Sequence, residues 1–129
     1  MNFKNKTALV TGAGQGIGLE ICRQLINEGA NVILNDIDAS LADEAITKLR
    51  VKNNVCIAHV GDAGDLHVIA QMVEKAIDRF GSLDIVIANA GITLFGDFLT
   101  YTPESFFKVM QVNLGGSFFL AQAAAKQMK

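Results

Sequence analysis

The sequence predicts an α/β fold, a doubly wound parallel sheet with helices on both faces. Three observations carry that expectation. Short apolar runs alternate with longer segments of helical periodicity along the whole chain. The runs are apolar almost throughout, rather than at every second residue, which marks strands buried on both sides. Each connection between runs is long enough to hold a crossover helix, as parallel neighbours require.

Thr7-Ala8-Leu9-Val10 reads as the first strand, with a glycine cluster after it. From there Ile17, Ile21, Leu25 and Ile26 recur at helical spacing, and Gly29 ends the helix as a glycine beyond the last turn does. Asn31-Val32-Ile33-Leu34-Asn35 is the second strand, closed by Asp36. The next helix runs from Leu41 to Leu49, with Ala42, Ala45, Ile46 and Leu49 on one face. Val55-Cys56-Ile57-Ala58 is the third strand. A helix from about Asp65 to Phe80 follows, capped by Asp65 and closed by Gly81, with Leu66, Ile69, Met72, Val73, Ala76, Ile77 and Phe80 on its apolar side. Leu83 to Ala88 is the fourth strand. A loop through Gly91 and Gly96 leads to Thr102-Pro103-Glu104, where a hydroxyl cap, a proline at the first helical position and an acid start the last helix. That helix is expected to run from there close to the C-terminus, with Asn113, a polar residue amid Phe, Val, Met and Leu and so expected to be buried, either bridging backbone at a helix irregularity or serving a site.

At 129 residues the chain is one domain at most. It is 50% apolar and 19% charged, ordinary values for a globular chain and not those of a disordered one. Eleven Lys and Arg against thirteen Asp and Glu give a net charge of −2, which leaves no basic stripe for nucleic acid or an anionic membrane. Cys22 and Cys56 have neither metal-ligand nor disulfide-framework spacing and read as core thiols of a reduced compartment; no metal site is expected. No apolar run approaches the ~18 residues of a membrane span, and Met1 to Lys6 is not of signal-peptide type, so a cytoplasmic location is expected. His59 and His67 have no partners at motif spacing and read as structural or solvent-facing.

The chemistry concentrates where the first strand meets the first helix, at Thr11-Gly12-Ala13-Gly14-Gln15-Gly16-Ile17-Gly18. Such a turn must be tight, let the backbone approach a pyrophosphate, and pack the helix closely on the strand. The helix start then offers free N–H groups and a positive dipole end to phosphates. The strict G-x-G-x-x-G spacing fails, and no Gly-Lys-Ser/Thr ending is present, which excludes a mononucleotide P-loop. Gly-x-x-x-Gly-x-Gly does fit, on Gly12, Gly16 and Gly18. Asp36, at the end of the second strand, can accept hydrogen bonds from both hydroxyls of an adenosine ribose and would repel a 2′-phosphate. Gln15 and Ile37 stand where a basic residue would neutralise one, so NAD is expected over NADP.

With these residues in hand, the chain resembles the short-chain dehydrogenase/reductase family over essentially its whole length. The resemblance is carried by the glycine loop, Asp36, Gly61-Asp62, the run from Leu83 to Gly91 that ends in Asn89-Ala90-Gly91, and Val112-Asn113. It implies a Rossmann-type sheet, truncated to four strands in the order 3-2-1-4. It implies that backbone groups from Gly12 to Gly18, including Gly14, Gln15, Gly16 and the N–H of Ile17, hold the pyrophosphate. Asp36 would take the ribose, and Asp62, with Ala63 beside it, the adenine amino group. Asn89, Ala90 and Gly91 would line the crevice under the cofactor, and Asn113 would belong to a catalytic Asn-Ser-Tyr-Lys set.

The rest of that set is missing. Hydride transfer in this family uses a Tyr and, one helical turn on, a Lys that lowers its pKa. The only tyrosine is Tyr101, and the residue four later is Ser105. The chain therefore resembles the N-terminal half of an NAD-dependent oxidoreductase acting on a carbonyl or alcohol. A non-catalytic dinucleotide-binding or oligomerisation module is the alternative, and a methyltransferase using S-adenosylmethionine a more distant one. The last helix, Thr102 to Met128, has two apolar stripes. One holds Phe107, Leu114, Phe118, Ala121 and Ala125; the other Phe106, Met110, Ser117, Leu120 and Ala124. A helix apolar on both sides is expected to be covered on both, here by a second copy.

Overall fold

The computed structural model describes residues 1–49 and 55–129. Four strands, β1 (Thr7–Val10), β2 (Asn31–Asp36), β3 (Cys56–Val60) and β4 (Ile85–Ile87), form one sheet in the order β3-β2-β1-β4. All three pairings are parallel, with Leu9 opposite Ile33 on one side and Val86 on the other. The expected order and the two-sided cover are both observed.

The alternation of side chains along β1 and β2 divides the core in two. Ala8, Val10, Val32 and Leu34 face α1 (Gly16–Asn27) and α2 (Ala39–Leu49), packing on Leu19, Cys22, Leu25, Ala42 and Ala45. Leu9 and Ile33 face the opposite way. They pack on Ile69, Met72, Val73 and Ala76 of α3 (Leu66–Phe80) and on Leu120 and Ala124 of α5 (Gly116–Met128). The strands are apolar on both sides because each side meets a helix layer.

Local chemistry sets most of the boundaries. The Asp65 carboxylate caps α3 by accepting from the N–H groups of His67 and Val68, and Gly81 ends it in the left-handed conformation. Asp84 fixes the approach to β4: its carboxylate accepts from the Thr7 N–H at 2.9 Å and the Ser82 hydroxyl at 2.8 Å. Those bonds hold its carboxyl below the usual range. Cys22 and Cys56 are buried and free, and burial pushes both thiols up to about 12. Among the described residues no helix is long and apolar enough to cross a membrane.

The structure corrects the sequence reading at several points. The strands shift: β3 runs Cys56–Val60 rather than stopping at Ala58, and β4 is only Ile85–Ile87. Ile17 and Leu66, counted on apolar helix faces, are exposed in the first turns of α1 and α3. The last helix is not continuous. It comprises α4 (Pro103–Met110), one π-helical turn at Gln111–Gly115, and α5. The cause is visible at Asn113. Its side chain leaves the helix to bond Ile92, and the Ser117 hydroxyl donates to the Asn113 carbonyl at 3.0 Å. An inserted residue of this kind widens the turn locally.

Neither expected stripe is buried throughout: Leu120 and Ala124 of the second pack inward together with Val112 and Gly116, while Phe106 and Met110 of that stripe, and Phe107, Leu114 and Phe118 of the other, stay exposed. Leu120→Ala should therefore cost about 2–5 kcal/mol, whereas Phe118→Ala should cost under about 1 kcal/mol, both read from urea denaturation. Cys22 and Cys56 should resist thiol reagents at pH 8 until the chain unfolds, since the thiolate is the reactive form.

Candidate functional site: a crevice at the carboxyl ends of the strands

The carboxyl ends of β1, β2, β3 and β4 open onto a crevice of about 320 Å³. Its position follows from topology. β2 lies on one side of β1 and β4 on the other, so the loops leaving β1 and β4 diverge and leave a gap.

The floor is a hydrogen-bonded knot between the β1 and β4 ends. The buried Thr11 hydroxyl accepts from the N–H groups of Asn89 and Ala90, each at 3.0 Å. The Asn89 side-chain amide donates back to the carbonyls of Thr11 at 3.2 Å and Gly12 at 3.1 Å. Such close approach dictates glycine. Gly12 has φ +59°, and a Cβ there would stand 2.8 Å from the Ala90 Cα. A Cβ at Gly18 would stand 2.6 Å from the Asn89 amide nitrogen and 2.7 Å from the Gly12 carbonyl oxygen.

Two residues at the end of β2 form the wall. Asn35 is fully buried. It donates to the carbonyls of His59 and Gly61, each at 3.0 Å, and its oxygen accepts from the Gly12 N–H at 3.4 Å. One side chain thus joins the loops after β1 and β3 to β2. Asp36 is buried as well; one oxygen accepts from the Gly14 N–H at 2.9 Å and the other from the Asp38 N–H at 3.0 Å. Each oxygen keeps lone pairs for a ligand.

Asp62 lies across from these, after β3. One oxygen accepts from the Gly64 N–H at 2.8 Å and the other from the Lys108 ammonium at 2.7 Å. The Lys108 ammonium, with the Gly64 amide, holds the Asp62 carboxyl below its usual range. Asn113 stands behind the crevice rim. Its amide donates to the Ile92 carbonyl and accepts from the Ile92 N–H, both at 2.8 Å.

The start of α1 differs from the other helix starts beside it. Asp65 caps α3 and Thr102 caps α4, but Gln15 places no side-chain cap on α1, and no acid sits in its first turn. Gln15, Gly16 and Ile17 are exposed, and Gln15 lines the crevice. The first-turn amides are thus open to an anion.

The structure brings Gly12, Gln15, Asp36, Asp62, Ala63, Asn89, Ala90 and Gly91 into one crevice. Gly14 and Gly18 lie beneath it as packing positions, and Gly16 and Ile17 sit beside it at the helix start. Asn113 is exposed rather than buried, but its polar atoms do bridge backbone, that of Ile92, at a helix irregularity, the π turn. His59 is half-buried, with its Nδ1 unpaired and its pKa lowered by burial; His67 is exposed. Sequence reasoning misses Asn35, Lys108 and Val112. A polar Asn within an apolar strand is a signal for the first. Lys108 carries none, because it meets Asp62 only through the fold.

A family model described as short chain dehydrogenase matches residues 6–129. Versicolorin reductase 1 from Aspergillus parasiticus is 39% identical over 125 residues, 96% of this chain and 48% of that protein. Tetrahydroxynaphthalene reductase from Pyricularia oryzae is 38% identical over 129 residues, 99% of this chain and 46% of that protein. A short-chain dehydrogenase/reductase from Brucella melitensis, described as a glucose/ribitol dehydrogenase, superimposes with a TM-score of 0.91. It is 28% identical, and the match covers 98% of this chain and 53% of that one. The chain spans about half the length of the curated relatives it matches.

Gly12→Ala should destabilise the chain by about 1–3 kcal/mol in urea denaturation, through its left-handed backbone and the clash with Ala90. Asp62 has a lower pKa folded than unfolded. Its stabilising contribution is therefore present above about pH 4 and lost as pH falls through the lower folded value. Asp62→Asn should flatten that acid limb of a stability-versus-pH curve.

Proposed function

This chain belongs to the short-chain dehydrogenase family, and from that premise we propose that it is the dinucleotide-binding half of an NAD-dependent oxidoreductase. The observation that carries the reading is the uncapped, exposed start of α1 beside the anchored Asp36 carboxylate. The residues fit the cofactor. First-turn amides from Gly16 to Gly18 receive the pyrophosphate, Asp36 accepts the adenosine ribose hydroxyls, and Asp62 with Ala63 flanks the adenine. Gly12, lacking a Cβ, lets the turn after β1 lie directly against Ala90, which closes the crevice floor. Asn89, Ala90 and Gly91 form the floor toward the nicotinamide end.

The cofactor, when bound, supplies hydride exchange with a carbonyl or alcohol carbon. The chain's own residues bind and orient it. Asp36 would repel a 2′-phosphate, Ile37 offers no charge to offset it, and Lys108 is engaged with Asp62. These features support NAD over NADP. Two relatives are named reductases, which supports oxidoreduction of a small molecule as the reaction class.

Proton transfer in turnover needs groups this chain does not supply. The hydroxyl of Tyr101, its only tyrosine, donates to the Leu94 carbonyl at 2.6 Å as a loop tie. Asn113 takes the family's catalytic position, where its spent side chain shapes the loop at Ile92. This favours a binding role without turnover for the 129-residue chain by itself. The exposed Phe107, Leu114 and Phe118 support pairing with a second copy through α4 and α5. Two thiols buried in reduced form fit a cytoplasmic protein.

Calorimetric titration tests the reading. NAD should bind and NADP should bind at least about tenfold more weakly, while S-adenosylmethionine should give no signal. Asp36→Ala should weaken NAD binding by about 1–3 kcal/mol, since each ribose hydroxyl loses a charged acceptor. Equal affinity for NAD and NADP would overturn the preference, and no binding of either would overturn the cofactor reading.

A further inference from the structure

The crevice contains two carboxylates, Asp36 and Asp62, and one cation, Lys108, among the described residues that line it. A dinucleotide brings further negative charge on its pyrophosphate. At physiological salt such charges act over about 8 Å, so two uncompensated acids would oppose its entry. Lys108 removes one of them: its ammonium lies 2.7 Å from one Asp62 oxygen, while the Gly64 N–H lies 2.8 Å from the other.

This pair is part of a larger clamp. A turn beyond Lys108, the Gln111 side-chain amide donates to the Gly64 carbonyl at 3.1 Å. After the π turn, Gly116 lets the helix approach so closely that a Cβ would stand 2.8 Å from the Ala63 carbonyl oxygen. One helical face therefore grips the loop from Asp62 to Gly64 at successive turns. An isolated exposed ion pair contributes little. Here the Asp62 carboxylate is fixed from both sides, at the wall of the crevice.

We propose that Lys108 is a positioning residue for the adenosine end of the crevice: acting through Asp62, it neutralises that carboxylate and holds the Asp62–Gly64 loop in its binding conformation. The proposal rests on the dinucleotide reading above. It assigns Lys108 a role in affinity, not in chemistry, and it predicts that the effect resides in the adenosine half of the ligand.

The test is calorimetric titration of the 129-residue chain with NAD and, separately, with AMP. Lys108→Met should weaken both by a similar factor, about fivefold, and Lys108→Arg should recover most of the loss. Lys126→Met, which removes the same charge from the exposed side of α5, should leave both affinities unchanged. Thermal midpoints of all variants identify any that fail to fold, and Lys108→Gln replaces Lys108→Met if the latter does. Unchanged affinity in Lys108→Met, an equal loss in Lys126→Met, or a loss with NAD but not with AMP would each overturn the proposal. If the unsubstituted chain binds neither ligand, the dinucleotide reading fails, and this inference falls with it.

Discussion

The knot between Thr11 and Asn89 is the interaction on which the rest depends. β1 and β4 are adjacent in the sheet but far apart in sequence, and their carboxyl ends must meet before any crevice exists. One hydroxyl that accepts two N–H groups, and one amide that donates to two carbonyls, satisfy backbone left unpaired where the strands stop. The glycines follow from the knot. Gly12 and Gly18 are required because the β4 loop comes within van der Waals contact of the turn after β1. The crevice is thus the space left when two strand ends are tied at one point and their loops diverge.

Under the proposed dinucleotide reading, the β2 end serves stability and recognition together. Asn35 spends every polar atom on backbone of neighbouring loops. Asp36 anchors Gly14 and Asp38 yet keeps lone pairs free toward the crevice. A buried carboxylate must have donors, and backbone amides supply them without consuming its full accepting capacity. The same bonds that stabilise the turn also fix the carboxylate at the crevice wall.

The π turn plays a comparable part on the far side. Asn113 stays within the π turn, and its side chain clamps both polar groups of Ile92. Upstream, Lys108 and Gln111 of the same helical stretch hold the loop after β3. One interrupted helix therefore contacts both rims of the crevice. The exposed phenylalanines on its outer side are not used in those contacts.

Much was legible in the sequence because it is written in local patterns. The strand and helix alternation, the caps at Asp65 and Thr102 and the glycine turn all follow from periodicity and from residues with special backbone chemistry. The sheet order and most of the crevice residues were legible through the family resemblance that the glycine turn, Asp36 and the Asn89-Ala90-Gly91 run carry. What required the tertiary structure was everything set by contact between distant segments. Periodicity extends a helix through Gln111–Gly115, but that stretch is a π turn whose Asn113 side chain bonds Ile92. Apolar spacing assigns two stripes to the last helix, but only the side facing α3 and the sheet is buried. Nothing in the sequence around Lys108 marks it as a partner of Asp62, because the two are neighbours only once α4 has docked beside the end of β3.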